Sequence, residues 1–453
     1  MNRREVLALS GALAAAVLAG CTGDEGTSPQ TSMSEQATGQ PASATRTATP
    51  DEPTETPPSG DPNVDDERLA DLAAGNAAFA LDLHGLLADE EGGNQFFSPY
   101  SISVALAMTV AGARGETREE MREALHYMLG EEIHPAFADL QAALESRETT
   151  TDPVDDEPVE AFQIDVANAV WGKEEYPFAE DYLDLLSEHY GAGLRTADFA
   201  GAPDSERERI NQWVADVTEN RIEDLLPSGS ITPSTVMVLT NAIYFMAGWA
   251  HQFDPEDTED GTFTALDGTE STVPFMHQNI RTNYAEIPGA ETLELPYVGE
   301  DVSMVLVLPE DGNYTAFESN LDADRLFGIF EALSDAKGTL ALPKFEYETG
   351  VQLKDALSAL GMPGAFDSSA DFSGMVKGDD GPWIDAVYHE AFVSVDEEGT
   401  EAAASTAVAM EESVPPEWGE LRFDRPFLYC IRDRPTDAVL FLGRVVDAGD
   451  AQG

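Results

Sequence analysis

The groups with which this 453-residue chain could do chemistry are 7 histidines, 2 cysteines and 86 acidic side chains. His84, His126, His134, His189, His251, His277 and His389 are scattered, and no two stand at the spacing with which histidines share a metal. The chain has no Gly-x-Ser-x-Gly elbow, His-Glu-x-x-His helix, phosphate loop or dinucleotide fingerprint. Serines, histidines and aspartates abound, but without a local signature the sequence assembles no triad. Cys21 and Cys430 cannot build a disulfide framework or a zinc site. Cys430 reads as a free buried thiol, because its only conceivable partner lies in an N-terminal signal. The expectation is a protein that is not an enzyme and uses no metal or cofactor.

One segment carries a pattern with a physical use. Asp396 to Pro416 reads DEEGTEAAASTAVAMEESVPP. It follows a strand read over Phe392 to Val395, and Gly399 permits a backbone turn that other residues resist. Thr400, Ala402, Ala404, Thr406, Val408 and Met410 are uncharged, whereas the other parity, Glu401, Ala403, Ser405, Ala407, Ala409 and Glu411, holds both charges. In a strand these sets face opposite sides. The segment could therefore enter a sheet with its small uncharged face toward a core. The same alanines read equally as a surface helix, which propensity favours, and the pattern leaves both open.

The elements around it suggest an α+β fold. Asp66 to Ala88, Ser101 to Ala111 and Thr117 to Tyr127 carry apolar residues at helical spacing, with Thr117 and Glu120 forming a capping box. Thr151 to Glu160 reads as an acidic, proline-broken loop. Val236 to Phe245, Val302 to Leu308, Gly338 to Leu342, Phe392 to Val395 and Ala438 to Val446 read as strands. Helices first and strands later is the α+β order. Length alone suggests two or three domains, but no second linker or internal repeat interrupts residues 66–453, which read as one.

Lys+Arg is 24, so the formal charge is −62. That excludes a nucleic-acid partner held through phosphates and docking on anionic lipid through a basic face. A hydrophobic fraction of 42% still disfavours wholesale disorder. Lysine occurs only at Lys173, Lys337, Lys344, Lys354 and Lys377, and acids are spread through every segment. At molar salt the screening length falls to about 3 Å and self-repulsion is screened, so the composition points to a halophile.

The N-terminus reads as an export device over residues 1–21. Arg3-Arg4 precede a short apolar run from Val6 to Ala19 and resemble a twin-arginine signal. Leu18-Ala19-Gly20-Cys21 resembles a lipobox, which would make Cys21 a lipid anchor on the outer face of the cell membrane. Residues 22–65, rich in Ser, Thr, Pro and acids, read as a flexible tether. Asn313-Tyr314-Thr315 is a glycosylation sequon in a loop, which chance also produces.

From about Asp66 to Asp447 the chain resembles a serpin. Asp396 to Thr406 is similar to the hinge of an inhibitory reactive loop. Asn94 to Ile102, followed by Gly112 to Thr117, is similar to the family's shutter segment. Ala167-Asn168-Ala169-Val170-Trp171, Ile210-Asn211-Gln212-Trp213-Val214, Leu239 to Phe245 with Trp249, Leu295-Pro296-Tyr297, Met304 to Pro309 and Leu342-Pro343-Lys344-Phe345 stand in family order. Asp424-Arg425-Pro426-Phe427 and Leu440 to Val445 resemble the C-terminal signature.

The resemblance implies helices packed on large, mainly antiparallel sheets, with an exposed reactive loop near the C-terminus. It implies an inhibitor used once: a serine protease cuts the loop, which inserts as a new strand and traps the acyl-enzyme. It implies a hinge at Glu397, Gly399, Thr400, Glu401, Ala402, Ala403 and Ala404. A shutter is implied at Ser98, Ser101, Asn241 and His389, where a satisfied polar core is the plainer reading. A breach is implied at Trp249, which could equally fill the core. Counting from Gly399 places the cut at Ser413–Val414, whereas matching Ser413-Val414-Pro415-Pro416 to the usual downstream sequence places it at Glu412–Ser413, the preferred register. Neither offers Arg or Lys, so the expected partner is a subtilisin-like serine protease or one that accepts Glu. The expected protein is an extracellular monomer that meets the membrane only through Cys21. The alternative is a non-inhibitory serpin acting as a surface binding or chaperone-like protein. Phe245-Met246-Ala247-Gly248-Trp249 departs from the Lys-Gly-Lys pattern common there, Glu417 to Leu421 reads longer than usual, and no basic helix implies heparin-type activation.

Overall fold

The computed structural model describes residues 66–151, 158–191, 194–378, 381–400 and 415–452. The chain divides into units 1–52 and 53–453, and every described residue belongs to the second. Among the described residues the main sheet has six strands in the order Phe345–Gln352, Ala386–Val395, Gly399–Thr400, Met237–Gly248, Gln163–Lys173 and Arg195–Ala197. A nine-stranded second sheet runs from Gln95–Phe97 through Ala438–Val445, Phe427–Asp433, Val302–Pro309 and Ala290–Pro296 to Glu270–Ile287. It continues through Ser334–Pro343 to Glu417–Arg422. The 18-residue strand Glu270–Ile287 unites its two halves, pairing Glu259–Thr264 near one end and Ala290–Pro296 near the other.

Helix Pro99–Gly112 lies between the sheets. Its sequence PYSISVALAMTVAG is apolar nearly all round, and nearly every residue is buried, as a helix covered on all sides must be. It starts where Ser98, in extended backbone, accepts a hydrogen bond from Ser101 N–H, with Pro99 at the first helical position. Helix Asp66–Glu91 packs outside strand Ala438–Val445. Helix Pro203–Val217 covers the opposite face of the main sheet, where Val214 packs with Ala167 and Ala242.

Several local expectations change. The third expected helix spans Gly115–Ala124, because Gly115, at φ 52, turns the chain into it. Thr117 therefore lies inside that helix and caps nothing there; its Oγ1 accepts from Asp371 N–H across the fold. Thr149–Thr151 and Pro158–Glu160 pair as a small hairpin, so paired strand flanks the expected acidic loop. Asn313 precedes the short helix Tyr314–Glu318. Glu417–Arg422 is a strand, pairing parallel with Ser334–Pro343. Cys430, by contrast, is free and buried as the sequence implies, and burial pushes its thiol up to about 12.

Candidate functional site: a seam in the main sheet

Strands Met237–Gly248 and Ala386–Val395 are parallel neighbours. They pair directly from Val238↔Ala386 to Ile243↔Ala391 and no further. Above that point Gly399–Thr400 stands between them, Thr400 opposite Val395 on one side and Ala247 on the other. The sheet is thus closed along its lower half and wedged open at its top by two residues.

The wedge is held by many contacts. Trp249 N–H donates to Glu398 O at 2.9 Å, Phe253 N–H donates to Glu397 O at 2.9 Å, and the Trp249 indole donates to Asp396 O at 3.0 Å. Trp249 stacks on Tyr297 at 4.6 Å between centroids, and the Tyr297 hydroxyl meets Thr400 Oγ1 at 2.8 Å. Thr400 is 2% exposed. Glu397 receives Lys344 Nζ at 2.5 Å and Thr258 Oγ1 at 2.7 Å. Burial pushes the Glu397 carboxyl up, but the hydrogen bonds from Lys344 and Thr258 outweigh it and hold the group below the usual carboxylate range. Gly399 earns its place differently from the expected turn, since its φ is not left-handed. A Cβ there would lie 2.2 Å from Ala247 O, so only glycine lets the backbone enter between the strands.

Ser98, Ser101, Asn241 and His389 come together beneath the closed half of the seam. His389 and Asn241 are register partners across it, and Asn241 faces Asn168 on the next strand. These three side chains form a row: His389 Nδ1 meets Asn241 Oδ1, and Asn241 Nδ2 reaches Asn168 Oδ1 and, at 2.6 Å, Ser101 Oγ. Ser98 N–H donates to His389 Nε2 at 3.2 Å, and Ser98 Oγ donates to Leu440 O at 2.7 Å, tying the row to the second sheet. His389 is fully buried, and desolvation pushes its imidazole down to about 3. The ring is therefore neutral, accepting from Ser98 and donating to Asn241.

Asn168 is a member of this row to which its sequence motif assigns no role. A short amide in a strand of otherwise apolar core-facing residues was the available signal. Tyr297 and Lys344 likewise stand in sequence motifs that assign them no role. Glu401, Ala402, Ala403, Ala404, Glu412, Ser413, Val414 and Cys21 lie outside the described residues.

A family model described as serpin (serine protease inhibitor) matches residues 74–448. The chain belongs to the serpin family. It is 38% identical over 377 residues to an uncharacterized serpin-like protein of Thermococcus kodakarensis, covering 82% of this chain and 85% of the relative. It is 37% identical over 387 residues to the leukocyte elastase inhibitor of Bos taurus, covering 83% and 99%. Among solved structures, the thermophilic serpin tengpin in its native state matches with TM-score 0.73 and 28% identity over 86% of this chain and 97% of that one. Uncleaved ovalbumin matches with TM-score 0.72 and 28% identity, covering 83% and 99%. The serpin fold is thus the fold of this chain, as its sequence motifs imply.

Proposed function

We propose that this serpin is a suicide-substrate inhibitor of extracellular serine proteases, with subtilisin-like enzymes as its targets. The observation that carries the proposal is the seam and the register in which Thr400 enters it. If the following residues continue antiparallel to both flanking strands, Ala409 arrives opposite Ala386 and Met410 opposite Met237, where those strands begin. The slot thus ends just short of Glu412–Ser413, the preferred cut, with Ser413–Val414 one residue beyond. Thr400 lies on the core-facing parity, so Ala402, Ala404, Thr406, Val408 and Met410 would follow it inward and both glutamates would face out. Every inward residue is uncharged, which spares the several kcal/mol of burying an unpaired charge. At about 3.3 Å per residue, roughly 14 residues carry an acylated protease on the order of 45 Å across the body, far enough to destroy its catalytic geometry.

The working form is a monomer exported with its N-terminal signal, anchored by lipid on Cys21, and suited to high salt. Mixing it with a subtilisin-like protease in molar salt should yield a covalent band at the summed mass on a denaturing gel. Mass spectrometry should place the cut between Met410 and Val414. Thr400→Arg, which charges the first inward position, should be cleaved at the same bond without forming the band. Clean cleavage of the wild-type chain with no covalent band would overturn the proposal and favour a non-inhibitory surface binding or chaperone-like serpin.

A further inference from the structure

The seam is crossed on its other face by a cap, helix Pro203–Val217 and the segment that follows it to Thr235. Ile222 and Leu225 of that segment pack with Val214 on Ala167 and Ala242 on one side of the seam and against Tyr388 on the other. Between them the cap carries Asp224, and beneath it lies Glu390, 8% exposed, on the strand that must part from Ala242 when the seam opens. Glu390 lies across Gly350 of the edge strand. A Cβ on Gly350 would sit 3.5 Å from Glu390 Oε2, so the glycine supplies the room in which the carboxyl lies. Glu348 stands two residues along the same face of the edge strand, so a second acid lies beside this carboxyl. A buried carboxyl beside other acids is favoured in its protonated, neutral form.

The surroundings supply little compensating charge. The edge strand offers Glu348 and the cap offers Asp224, both acidic. Strand Met237–Gly248 brings Thr240, Ala242 and Tyr244 to this face. Of the cap's cations, Arg207 donates to Leu226 O, Arg209 pairs with Glu206 of its own helix, and Arg221 lies over the rings of Phe392 and Tyr244 at 5.8 Å each. Tyr388 is itself held protonated by burial. At the cap's other end the same juxtaposition recurs, with Asp165 of strand Gln163–Lys173 facing Glu219, and burial followed by that charge and Glu160 pushes Asp165 up.

We propose that the cap is a proton-operated latch over the seam: closed while the buried Glu390 carries a proton, and loosened when that proton leaves. Burial first, then the charges of Glu348 and Asp224, push the Glu390 carboxyl up to about 8 in the closed state. In an opened, hydrated cap it returns toward the usual carboxylate value of ~4.3. Opening therefore releases one proton between those limits. The opening constant rises up to ~10-fold per pH unit through that window and levels off above about pH 8. For the proposed inhibitor, this means that a more alkaline medium eases parting of the strands and a more acidic one resists it.

The latch bears on protease trapping only through that consequence, so its test reads the cap directly. Hydrogen–deuterium exchange of the full chain in molar salt, corrected for intrinsic rates, is followed in peptides from 203–235 between about pH 5.5 and 8. In the wild-type chain, cap opening should climb by roughly 10-fold per unit in the steep part of this range. In Glu390→Gln, whose amide imitates the protonated carboxyl, opening should stay low and lose its slope. Glu348→Gln should move the window to lower pH by removing one of the charges that raises it. A slope that survives in Glu390→Gln, a window unmoved in Glu348→Gln, or a wild-type chain with no slope overturns the latch, whether or not the protein traps a protease.

Discussion

His389 shows how much one buried ring can fix. It is neutral because its site is dry, and it joins strand Ala386–Val395 to Asn241 across the seam and to Ser98 below it. Its imidazole is held near 3 against an ordinary value of 6.5. Above about pH 6.5 the ring is neutral in folded and unfolded chains alike and makes no pH-dependent difference. Below that, the unfolded chain takes up a proton that the folded chain refuses, so stability falls by up to ~1.4 kcal/mol per pH unit toward pH 3. Denaturant unfolding at stepped pH should reveal this fall, and His389→Gln, which cannot titrate, should be less stable at neutral pH and lose that part of the slope. An undiminished slope in the variant would assign the acid sensitivity to other groups. The ring was legible in the sequence through a motif; for its partner Asn168 the only signal is a short amide in an apolar strand face, which does not tell an amide pointing at Asn241 from one pointing at water. Only pairing of Gln163–Lys173 with Met237–Gly248 brings the two amides together.

Strands were easiest to read where both sides are apolar, as in Val302–Pro309, where every residue is buried. Ala386–Val395 was read only from Phe392, because Tyr388, His389 and Glu390 interrupt its apolar run. Those interruptions are the shutter ring on one face and the cap contact on the other, so the strand was illegible where its position carries most. The seam between two parallel strands far apart in sequence has no local signal at all. Its register nevertheless makes an element-scale prediction. Inserted in line with Thr400, Thr406 would arrive opposite both Asn241 and His389, whose contact crosses the seam and must break to admit a strand. The Thr406 hydroxyl can then satisfy the groups it separates. Thr406→Val keeps the shape and removes the hydroxyl, leaving buried polar atoms unpaired at a cost of ~1–3 kcal/mol. The loop-cut variant should therefore unfold in less guanidinium than the loop-cut wild type, while the intact proteins unfold alike. The cut wild-type chain should in turn outlast the intact one, since roughly ten residues gain ladder hydrogen bonds worth ~0.5–1.5 kcal/mol each. A cut chain that unfolds no later than the intact one would mean that no strand is added.

At the scale of the whole molecule, charge is the term that no single contact explains. If each of the 24 Lys and Arg side chains neutralised one acid, 62 acids would remain. The visible surface pairs, such as Arg281–Asp335 at 2.8 Å and Lys377–Glu180 at 3.1 Å, are exposed and contribute little. Against this repulsion stands an ordinary close-packed core around helix Pro99–Gly112, so the fold should need screening more than extra cohesion. Lowering salt from ~1 M to ~0.1 M lengthens the screening distance from about 3 to about 10 Å. Near-UV circular dichroism should fade and the unfolding midpoint fall, whereas full signal and cooperative unfolding at ~0.1 M would refute the idea. Salt also strengthens burial of apolar surface when its anion is excluded from protein, as sulfate is, and that route predicts a different response to acid. If repulsion between carboxylates is the cause, protonating them should substitute for salt. Glu148, raised to about 7 mainly by burial, and Glu390, raised to about 8, take up protons first. At low salt the loss of structure should then be milder near pH 6 than near pH 8, by roughly the ~1.4 kcal/mol per unit that a group with a raised carboxylate value supplies. His389 works the other way only below about pH 6.5. A low-salt midpoint that does not improve between pH 8 and pH 6 would leave excluded-anion burial, rather than screening, as the reason the chain needs salt.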